Sequence, residues 1–325
     1  MRITIISPFS FGYIDSLVLK LLEYPGIELL YINTHEIQYQ YLSVFQRLKN
    51  VWLKNFFGRN LKTEFTSNEI RKKLESQPKQ DVILVIRPDK LETELLSMLK
   101  TKTPSLRTFY FDGTGSIPEQ INLVPFFDII YSYDKKDVEQ YGFNYITNFI
   151  PFDVNMKKSG RGVFNISSYD KRYETLEKIA LQLKEMNFPG KIIVRKEKAL
   201  NSENINVVKN YISLEEVMNY MEGSSILLDI QKENQEGLSF RVFEALGYEK
   251  KLITTNKDIV NYDFYNPHNI LVIDREKPYI PKNFLDSSYS TVPEEIRKKY
   301  RRESWIKQVF GISKLPVQNH PASVL

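Results

Sequence analysis

The sequence predicts an α/β protein composed of two Rossmann-like domains that face each other across a cleft. Short β-branched or aliphatic runs alternate with longer helical patterns along the whole chain, which is typical of βα units in a mainly parallel sheet. The length of 325 residues suits about two domains. A composition of 42% hydrophobic and 26% charged residues is that of a compact globular chain.

The first domain is expected to span residues 1–152 and to begin with a buried strand. The opening apolar run is too short for the core of a signal peptide, and Asp15 interrupts any extension of it. Further apolar runs predict strands, and apolar residues at three- and four-residue steps predict the helices between them. The predicted strands are Ile3–Ile6, Glu28–Ile32, Val82–Ile86, Thr108–Phe111 and Ile129–Tyr131, and the helices lie near Tyr13–Leu22, Gln40–Phe56, Ser67–Leu74 and Leu91–Leu99.

The second domain is expected to span residues 153–325, after a linker at 151–162 that is rich in Pro, Lys, Ser and Gly. Pro293 and the acidic pair that follows it predict the start of a C-terminal helix, at about 293–310, that packs back on the first domain. The predicted strands are Val163–Ile166, Lys191–Val194, Ser225–Ile230, Lys251–Thr254 and Ile270–Ile273, and the helices lie near Glu174–Met186, Leu214–Glu222 and Leu238–Tyr248.

The residue content excludes several classes of chemistry. There is no cysteine, so disulfides, thiolate metal sites and cysteine nucleophiles are excluded and a cytoplasmic location is permitted. The three histidines have no zinc-type spacing, and no two aspartates stand two residues apart. No dinucleotide-binding or P-loop glycine motif is present. We therefore expect no metal and no resident cofactor.

The charge and hydropathy patterns bear on partners. A net charge of +5 is too small for a dedicated nucleic-acid binder, and no apolar run is long enough to span a membrane. Between residues 37 and 65, however, five basic residues face one glutamate, and Tyr41, Phe45, Leu48, Trp52 and Phe56 recur at helical steps. This pattern predicts an amphipathic basic helix, either lying on an anionic membrane surface or packed on the core with a solvated basic rim.

One strand-to-helix junction carries the chemistry of a binding site. The strand that ends at Ile230 is followed by a polar loop, Glu236 and a helix that contains Glu244. Gly237 lets a ligand approach the backbone, and the amides of Leu238 and Ser239 are placed to face a diphosphate at the helix N-terminus. Carboxylates on both sides of an anion site suit a ligand that is anionic in the middle and rich in hydroxyl groups at both ends, as a nucleotide-sugar is.

This segment resembles the E-x7-E donor motif of the GT-B glycosyltransferases, in which two glutamates stand eight residues apart. The likeness extends from Ser213 to Asn256, through the helix, strand, glutamate loop and helix in the order of that family. The first half, at Phe111-Asp112 and from Tyr131 to Asp137, also resembles bacterial proteins assigned to lipopolysaccharide or capsule biosynthesis. The resemblance implies a metal-independent transferase of the hexosyltransferase type that uses a nucleotide-sugar.

The same resemblance implies roles for individual residues on the donor side. Glu236 would contact the hydroxyls of the donor sugar, and Glu244 would bind the ribose. Basic residues from the second domain would face the diphosphate and stabilise the leaving nucleotide. The candidates for this role are Arg195, which is preferred because it ends a strand, and Lys196, Lys171, Arg172 and Arg241.

Candidates for the acceptor side lie in the first domain. The turn after the first strand contains Phe9, Phe11 and Gly12, whose aromatic rings suit a sugar or lipid carrier but equally suit the core. Asp112 is the best candidate for a base that deprotonates the acceptor, with Asp15 second, and a reaction that retains the anomeric configuration needs no such base. Asp112 opens a glycine-rich turn, residues 112–116, that is otherwise typical of a plain turn.

The expected function is the transfer of a sugar from a nucleotide-sugar to a lipopolysaccharide or capsule glycan, free or lipid-linked. The expected location is the cytoplasm, with peripheral attachment to the inner face of the membrane. Two alternatives stay open: a two-domain protein that binds a small ligand without chemistry, and a nucleotide-sugar epimerase of the same architecture, which needs no acceptor.

Overall fold

The computed structural model describes residues 1–153, 160–198 and 200–312, and the chain divides into two compact units. The first unit contains Met1–Ile146 and the chain from Ile306 onward, and the second contains Thr147–Trp305. The second unit therefore starts earlier in the sequence than the predicted boundary at 152/153 and ends inside the last helix. Residues 154–159 of the predicted linker lie outside the described residues.

The first unit is built on a six-stranded sheet in the order β2-β1-β3-β4-β5-β6, with all neighbouring strands parallel. This is the doubly wound order in which the winding reverses between β1 and β3. The elements are β1 (Arg2–Ser7), α1 (Tyr13–Leu22), β2 (Glu28–Asn33), α2 (Val44–Phe57), α3 (Leu61–Glu75), β3 (Val82–Ile86), α4 (Thr93–Lys102), β4 (Leu106–Tyr110), β5 (Ile129–Ser132), α5 (Lys135–Tyr141) and β6 (Asn144–Tyr145), with 3-10 helices at Pro88–Lys90 and Pro118–Phe126.

The second unit has a second six-stranded parallel sheet, in the order β12-β11-β10-β7-β8-β9. Counted from β7, this is the Rossmann order, whose switch point lies between β7 and β10. The elements are β7 (Val163–Ser168), α6 (Tyr173–Glu185), β8 (Gly190–Arg195), β9 (Asn206–Val208), α7 (Leu214–Glu222), β10 (Ile226–Asp229), α8 (Phe240–Gly247), β11 (Lys251–Thr254), β12 (Ile270–Val272), α9 (Lys282–Asp286), α10 (Glu294–Lys299) and α11 (Arg302–Phe310), with a 3-10 helix at Lys257–Asn261.

The structure confirms all ten predicted strands and adds two short ones, β6 and β9. Both additions have only two or three residues, too few for an alternating pattern to show in the sequence. Each sheet is sandwiched between helices and buries its aliphatic side chains, so the near-continuous apolar runs of the strands are explained by burial on both faces.

The helices α2 and α3 differ from the prediction at their boundaries. α2 begins after Ser43, whose hydroxyl accepts a hydrogen bond from the Gln46 amide, and ends at Gly58 in the left-handed conformation, with φ of 64°. α3 begins after Asn60, earlier than the predicted start at Ser67, because the Asn60 side chain caps its N-terminus. The short side chains at these positions set the boundaries, whereas the prediction followed the apolar pattern.

The helix predicted at 293–310 is divided into α10 and α11. The Tyr300 carbonyl accepts a hydrogen bond from the Ile150 amide at 2.7 Å, and this bond interrupts the helix. Near the end of α11, the carbonyl of Gln308 accepts from the Tyr131 hydroxyl and that of Val309 from the Arg107 guanidinium, both in the first unit. Trp305, at the start of α11, stacks edge-on against Phe149 of the second unit.

Candidate functional site

The carboxyl ends of β7 and β10 form the switch point of the second sheet, where ligands of doubly wound folds bind. The buried carboxylate of Asp229 ends β10 and accepts hydrogen bonds from the Ser239 hydroxyl at 2.8 Å and from the Thr254 hydroxyl at 3.0 Å. The first of these bonds ties the start of α8 to the end of β10. The helix N-terminus is therefore held at the carboxyl edge of the sheet.

The loop that precedes α8 is fastened through its carbonyl groups. The side-chain amide of the buried Asn256 donates to the Glu236 carbonyl at 3.0 Å, and that of Asn148 donates to the Leu238 carbonyl at 2.9 Å. Neither asparagine was predicted from the sequence, although Asn256 lies two residues after the end of β11, where polar residues beyond parallel strands meet at one edge of the sheet. Together they fix the path of the loop.

The N-terminus of α8 keeps amide groups available. Ser239 stands at the N-cap position, but its hydroxyl is used by Asp229 and does not cap the helix. Among the hydrogen bonds of the described residues, none has the Leu238 or Ser239 amide as its donor. Gly237 and Leu238 are buried, and the side chain of Glu236 is partly exposed beside them. This arrangement suits an anion whose neighbouring groups carry hydroxyls.

Glu244 lies in the interior of the second unit, with only 2% of its surface exposed. Its carboxylate forms an ion pair with Arg241 one turn earlier, at 2.8 Å, and the same guanidinium donates to the Met221 sulfur at 3.0 Å. Burial and the charge of Glu244 raise the pKa of the Tyr248 hydroxyl one turn later. In this structure Arg241 thus neutralises Glu244, and binding of a ribose by Glu244 stays a prediction.

The candidate cations occupy two places along the same sheet edge. Lys171 and Arg172 follow β7, directly beside β10, and contact the glutamate loop: the Lys171 ammonium lies 2.8 Å from Glu233, and an Arg172 nitrogen lies 3.4 Å from the Ile230 carbonyl. Arg195 is the last residue of β8 and Lys196 follows it, two strand spacings or about 10 Å from β10. The structure therefore brings Lys171 and Arg172 closer to the loop than the preferred candidate, Arg195.

The two pairs of cations also differ in their partners. The Arg172 fork binds both oxygens of Asp170, and although burial opposes it, these bonds lower the pKa of Asp170 below its usual value. The guanidinium of Arg195 stacks on the ring of Tyr211, 3.9 Å from the ring centre. The ammonium of Lys196 lies over the ring of Tyr169, 3.5 Å from its centre. These aromatic contacts hold both cations over the end of β8.

A further cation at this edge is Arg275, which the sequence analysis missed. It follows β12, lies 3.8 Å from Glu233, and donates to the carbonyl of Gln231 in the same loop. Its position two residues after the predicted strand Ile270–Ile273 was the available signal, since residues just beyond parallel strands meet at one edge. Three cations, Lys171, Arg172 and Arg275, therefore surround the loop.

In the first unit, the candidate acceptor residues lie at the switch point between β1 and β3. Phe9 and Phe11 are 48% and 53% exposed, with ring centres 5.6 Å apart, so neither is a core residue. Phe11 and Gly12 both have positive φ, and Gly12 is the N-cap of α1. Asp15 lies in the first turn of α1. Burial of Tyr31 raises the pKa of its hydroxyl, and the charge of the nearby Asp15 raises it further.

Asp112 belongs to a small polar cluster at the ends of β3 and β4. Arg87 lies 3.4 Å from the Asp112 carboxylate and makes a two-pronged ion pair with Asp89 at 2.8 and 2.9 Å. The glycine-rich turn that begins at Asp112 has a packing role: a Cβ at Gly113 would lie 3.0 Å from the Asp134 carboxylate. The turn accordingly serves to bury Asp134 and Asp137.

Within residues 1–153, 160–198 and 200–312, no three His, Asp or Glu side chains are grouped as a metal ion would require. In the same part of the chain, every helix is too short or too polar to cross a bilayer.

Comparisons with known proteins find likeness in structure alone. No protein-family model matches the sequence, and no curated protein matches it. A solved UDP-N-acetylglucosamine 2-epimerase aligns over 99% of both chains with a TM-score of 0.54 and 10% identity. The α,α-trehalose-phosphate synthase (UDP-forming) of Burkholderia xenovorans aligns over 96% of this chain and 99% of its own, with a TM-score of 0.54 and 10% identity.

These likenesses define the class of the fold. A second trehalose-phosphate synthase, from Burkholderia vietnamiensis, covers 96% of both chains with a TM-score of 0.50 and 11% identity. The chain has the GT-B fold, an α/β architecture with two six-stranded parallel sheets. The expected α/β class with two Rossmann-like units is confirmed, and this fold is shared by glycosyltransferases and an epimerase.

Proposed function

We propose that the protein is a glycosyltransferase that takes its sugar from a nucleotide-sugar and does not need a metal. The observation that carries the proposal is the N-terminus of α8, where the Leu238 and Ser239 amides are available at the switch point of the sheet, next to Glu236. A diphosphate placed there accepts from the amides, and Glu236 accepts from hydroxyls of the attached sugar.

The cations around the loop complete the proposed donor site. Lys171, Arg172 and Arg275 lie near the place proposed for the diphosphate, which would compete there with Glu233 and Asp170, their present ion-pair partners. As the bond to the sugar breaks, negative charge grows on the leaving nucleotide, and fixed cations and amide dipoles stabilise that charge. This arrangement provides what a divalent cation provides in other sugar transferases.

The proposed acceptor is a bacterial surface glycan of the lipopolysaccharide or capsule type. It is supported by the resemblance of the first half of the chain and by the exposed pair Phe9 and Phe11 at the switch point of the first sheet. Aromatic faces of this kind suit the apolar faces of sugar rings. Asp112 is the proposed base, if the reaction inverts the anomeric centre.

The donor site is tested by measuring binding of UDP, GDP, ADP, CDP and TDP in EDTA, through thermal unfolding. Saturation to about 100 times Kd raises the free energy of unfolding by roughly 2.7 kcal/mol, which moves the midpoint by several degrees. We expect one of these nucleotides to raise the unfolding midpoint. Affinity for the corresponding nucleotide-sugar should fall in Glu236→Ala and stay unchanged in Glu215→Ala, the same change at an exposed position on α7. Absence of a shift with every nucleotide would refute the proposal.

An epimerase is the second candidate, and the structural likeness to UDP-N-acetylglucosamine 2-epimerase is the observation that favours it. An epimerase also binds a nucleotide-sugar, so the binding test does not separate the two. Incubation of the protein with the nucleotide-sugar that it binds, without any glycan, decides between them. Epimerised sugar in that incubation favours the epimerase, and conversion only after glycan is added favours the transferase.

The proposal includes attachment to an anionic membrane surface through α2. The structure overturns the alternative that its apolar stripe packs on the core: Phe45, Leu48, Trp52 and Phe56 are between 52% and 82% exposed. The buried residues of α2 are Asn50 and Leu53 instead. A helix with a solvent-exposed aromatic face and basic residues on both sides of it is suited to lie in the interface of a lipid bilayer.

Sedimentation with vesicles tests the attachment. Wild-type protein should pellet with vesicles that contain anionic lipid, and a variant with Phe45, Trp52 and Phe56 changed to Ser should stay in the supernatant. Changing the exposed Leu19, Leu22 and Leu181 to Ser removes apolar surface elsewhere and serves as the control. Equal sedimentation of all three proteins would show that α2 is not the contact.

A further inference from the structure

An exposed aromatic residue lies at the carboxyl edge of the second sheet and has no role in the donor site proposed above. Tyr211 follows β9, the edge strand of that sheet, and is 66% exposed. The guanidinium of Arg195 covers one face of its ring, with the guanidinium carbon 3.9 Å from the ring centre. Because about two thirds of the residue is nevertheless exposed, the ring also presents surface to solvent. We call these two side chains the Arg195–Tyr211 pair.

The guanidinium of Arg195 is oriented by the tyrosine ring. Its Nε is buried and has no hydrogen-bond partner within the described residues. Its ion pair with Glu197 is 3.4 Å long, and the side chain of Glu197 is almost fully exposed. Such a pair is weak in water, so it does little to fix either side chain. Stacking on Tyr211 is therefore the contact that orients the guanidinium, and the two groups form one platform.

The Arg195–Tyr211 pair lies on the same face of the sheet as α8. Successive side chains of a strand point to opposite faces, so Arg195 shares its face with Ile193, which packs in one core with Phe243 of α8. Ile212, directly after the tyrosine, packs against this core as well. The available amides at the start of α8 and the stacked pair are therefore found on one face, at the same edge of the sheet.

One strand separates the pair from the start of α8. This strand is β7, which lies between β8 and β10 and ends at the exposed Ser168, the register partner of Arg195. Ser168 is in phase with Phe164, a member of the core that contains α8, so its short side chain lies on the same face. The edge between α8 and the pair thus carries only a small hydroxyl side chain over two strand spacings, or about 10 Å. A nucleotide spans about this length from its diphosphate, through the ribose, to the base.

We infer that the Arg195–Tyr211 pair binds the base of the donor nucleotide by stacking. The inference rests on the proposed donor site, which it deepens by locating the base. With the diphosphate at the start of α8, the ribose crosses the end of β7 and the base stacks on the exposed surface of the Tyr211 ring. The guanidinium behind the ring fixes it in advance, which lowers the entropy lost on binding. Arg195 therefore acts at the base and not at the diphosphate, the role that the resemblance implied for it.

The test compares two ligands by titration calorimetry in EDTA: the nucleoside diphosphate of the panel above that binds most tightly, and ribose 5-diphosphate, which lacks the base. Tyr211→Ala should raise the Kd of the nucleoside diphosphate about tenfold and that of ribose 5-diphosphate by less than about twofold, because only the first ligand stacks. Tyr211→Phe keeps the ring and should keep both affinities. Tyr141→Ala removes an exposed tyrosine of the first unit and, as the control, should change neither.

The outcomes separate this inference from the proposed function. If no nucleoside diphosphate binds the wild-type protein, the donor site is wrong and the base site with it. If one binds and Tyr211→Ala binds it equally well, the donor site stands and the base site is wrong. Equal losses for both ligands, or a loss in Tyr211→Phe as large as in Tyr211→Ala, also overturn the base site, since the ring then does not act by stacking on a base. Where ribose 5-diphosphate binds the wild-type protein too weakly to measure, the contrast between the Ala and Phe variants decides.

Discussion

Glu244 and Arg241 lie one helical turn apart, and their charges neutralise each other inside the second unit. Each is costly to bury alone, since an unpaired charge in a protein interior loses its hydration without compensation. The Arg241 guanidinium also faces the ring of Phe164 and the Met221 sulfur, so it joins α8 to β7 and α7. The Arg241–Glu244 pair therefore helps to hold α8 in position, in addition to neutralising two buried charges.

This arrangement predicts a strong coupling between the two residues. Arg241→Met should lower the free energy of unfolding by about 3–5 kcal/mol, because it leaves the Glu244 carboxylate buried without a partner. Glu244→Leu should also lower the free energy of unfolding, because it leaves Arg241 without its carboxylate. The double variant should lose much less of this free energy than the sum of the two single losses. Urea unfolding of the four proteins measures the coupling, and additive costs would contradict it.

A second ion pair has a consequence for pH dependence. Burial by itself raises the pKa of Asp89, but the two-pronged bond from Arg87 and the nearby Lys90 lower it overall. Since the folded pKa lies below the unfolded value, this carboxylate stabilises the fold at neutral pH, and the stabilisation is lost as the pH falls through the folded pKa.

Arg87→Met should accordingly destabilise the protein by about 1–3 kcal/mol at pH 7 and by progressively less below about pH 4. Methionine keeps a long side chain at a position with φ of 61°, so the backbone strain is unchanged. Unfolding free energies across the acid range measure the effect. A loss that is the same at pH 3 and at pH 7 would mean that the packing of the Arg87 side chain, not its charge, contributes the stability.

At the scale of elements, the start of α8 depends on one hydroxyl. Ser239 does not cap its own helix but donates to Asp229 at the end of β10. The exposed and buried faces of α2 show the same dependence on partners, because the apolar stripe points to water and the polar Asn50 points inward. In both helices the amphipathic pattern locates the helix and the neighbouring elements determine its role.

Ser239→Ala should therefore reduce stability by about 1 kcal/mol and weaken nucleotide-sugar binding, because the amides at the N-terminus of α8 lose their fixed position. Ser224→Ala is the matched control: it removes a buried hydroxyl that donates to the Met221 carbonyl at 2.9 Å, away from the loop. It should cost similar stability and leave affinity unchanged. Equal affinity in both variants would show that the Asp229 contact does not organise the site.

At the scale of the molecule, each unit has its own sheet and its own apolar core. Leu95 belongs to the core of the first unit and Leu183 to that of the second, and both are buried. The groups proposed to bind the nucleotide-sugar all belong to the second unit: Glu236, the amides of Leu238 and Ser239, and the cations Lys171, Arg172 and Arg275. Nucleotide affinity should therefore depend on the second unit, which contains the entire donor site.

Leu95→Ala should lower the free energy of unfolding by about 2–5 kcal/mol and change the Kd for the nucleotide by less than about twofold. Differential scanning calorimetry and titration calorimetry at a temperature where the variant is folded provide the two measurements. Leu183→Ala supplies a cavity of the same chemistry in the other unit. A large loss of affinity in Leu95→Ala would show that the first unit contributes to nucleotide binding.

Several features could be predicted from the sequence because they depend on neighbours along the chain. Aliphatic runs give all ten predicted strands, and the strand–loop–helix order around Glu236 places that residue at a sheet edge. Other features could not be read in this way. Lys251 follows another lysine, and a pair of lysines is typical of a protein surface, yet Lys251 is only 2% exposed. Its ammonium donates to the carbonyls of Phe284 and Ser287, and burial lowers its pKa.

The sequence by itself determined the class of fold, the location of its strands and the position of the glutamate loop, because hydrophobic periodicity and turn residues act over a few residues. Only the tertiary structure decided the strand order in each sheet, which places Lys171, Arg172 and Arg275 around the loop. It also decided that Glu244 is buried and that α2 exposes its apolar face. Burial and pairing of a polar group depend on residues far away in the chain, and no local pattern records them.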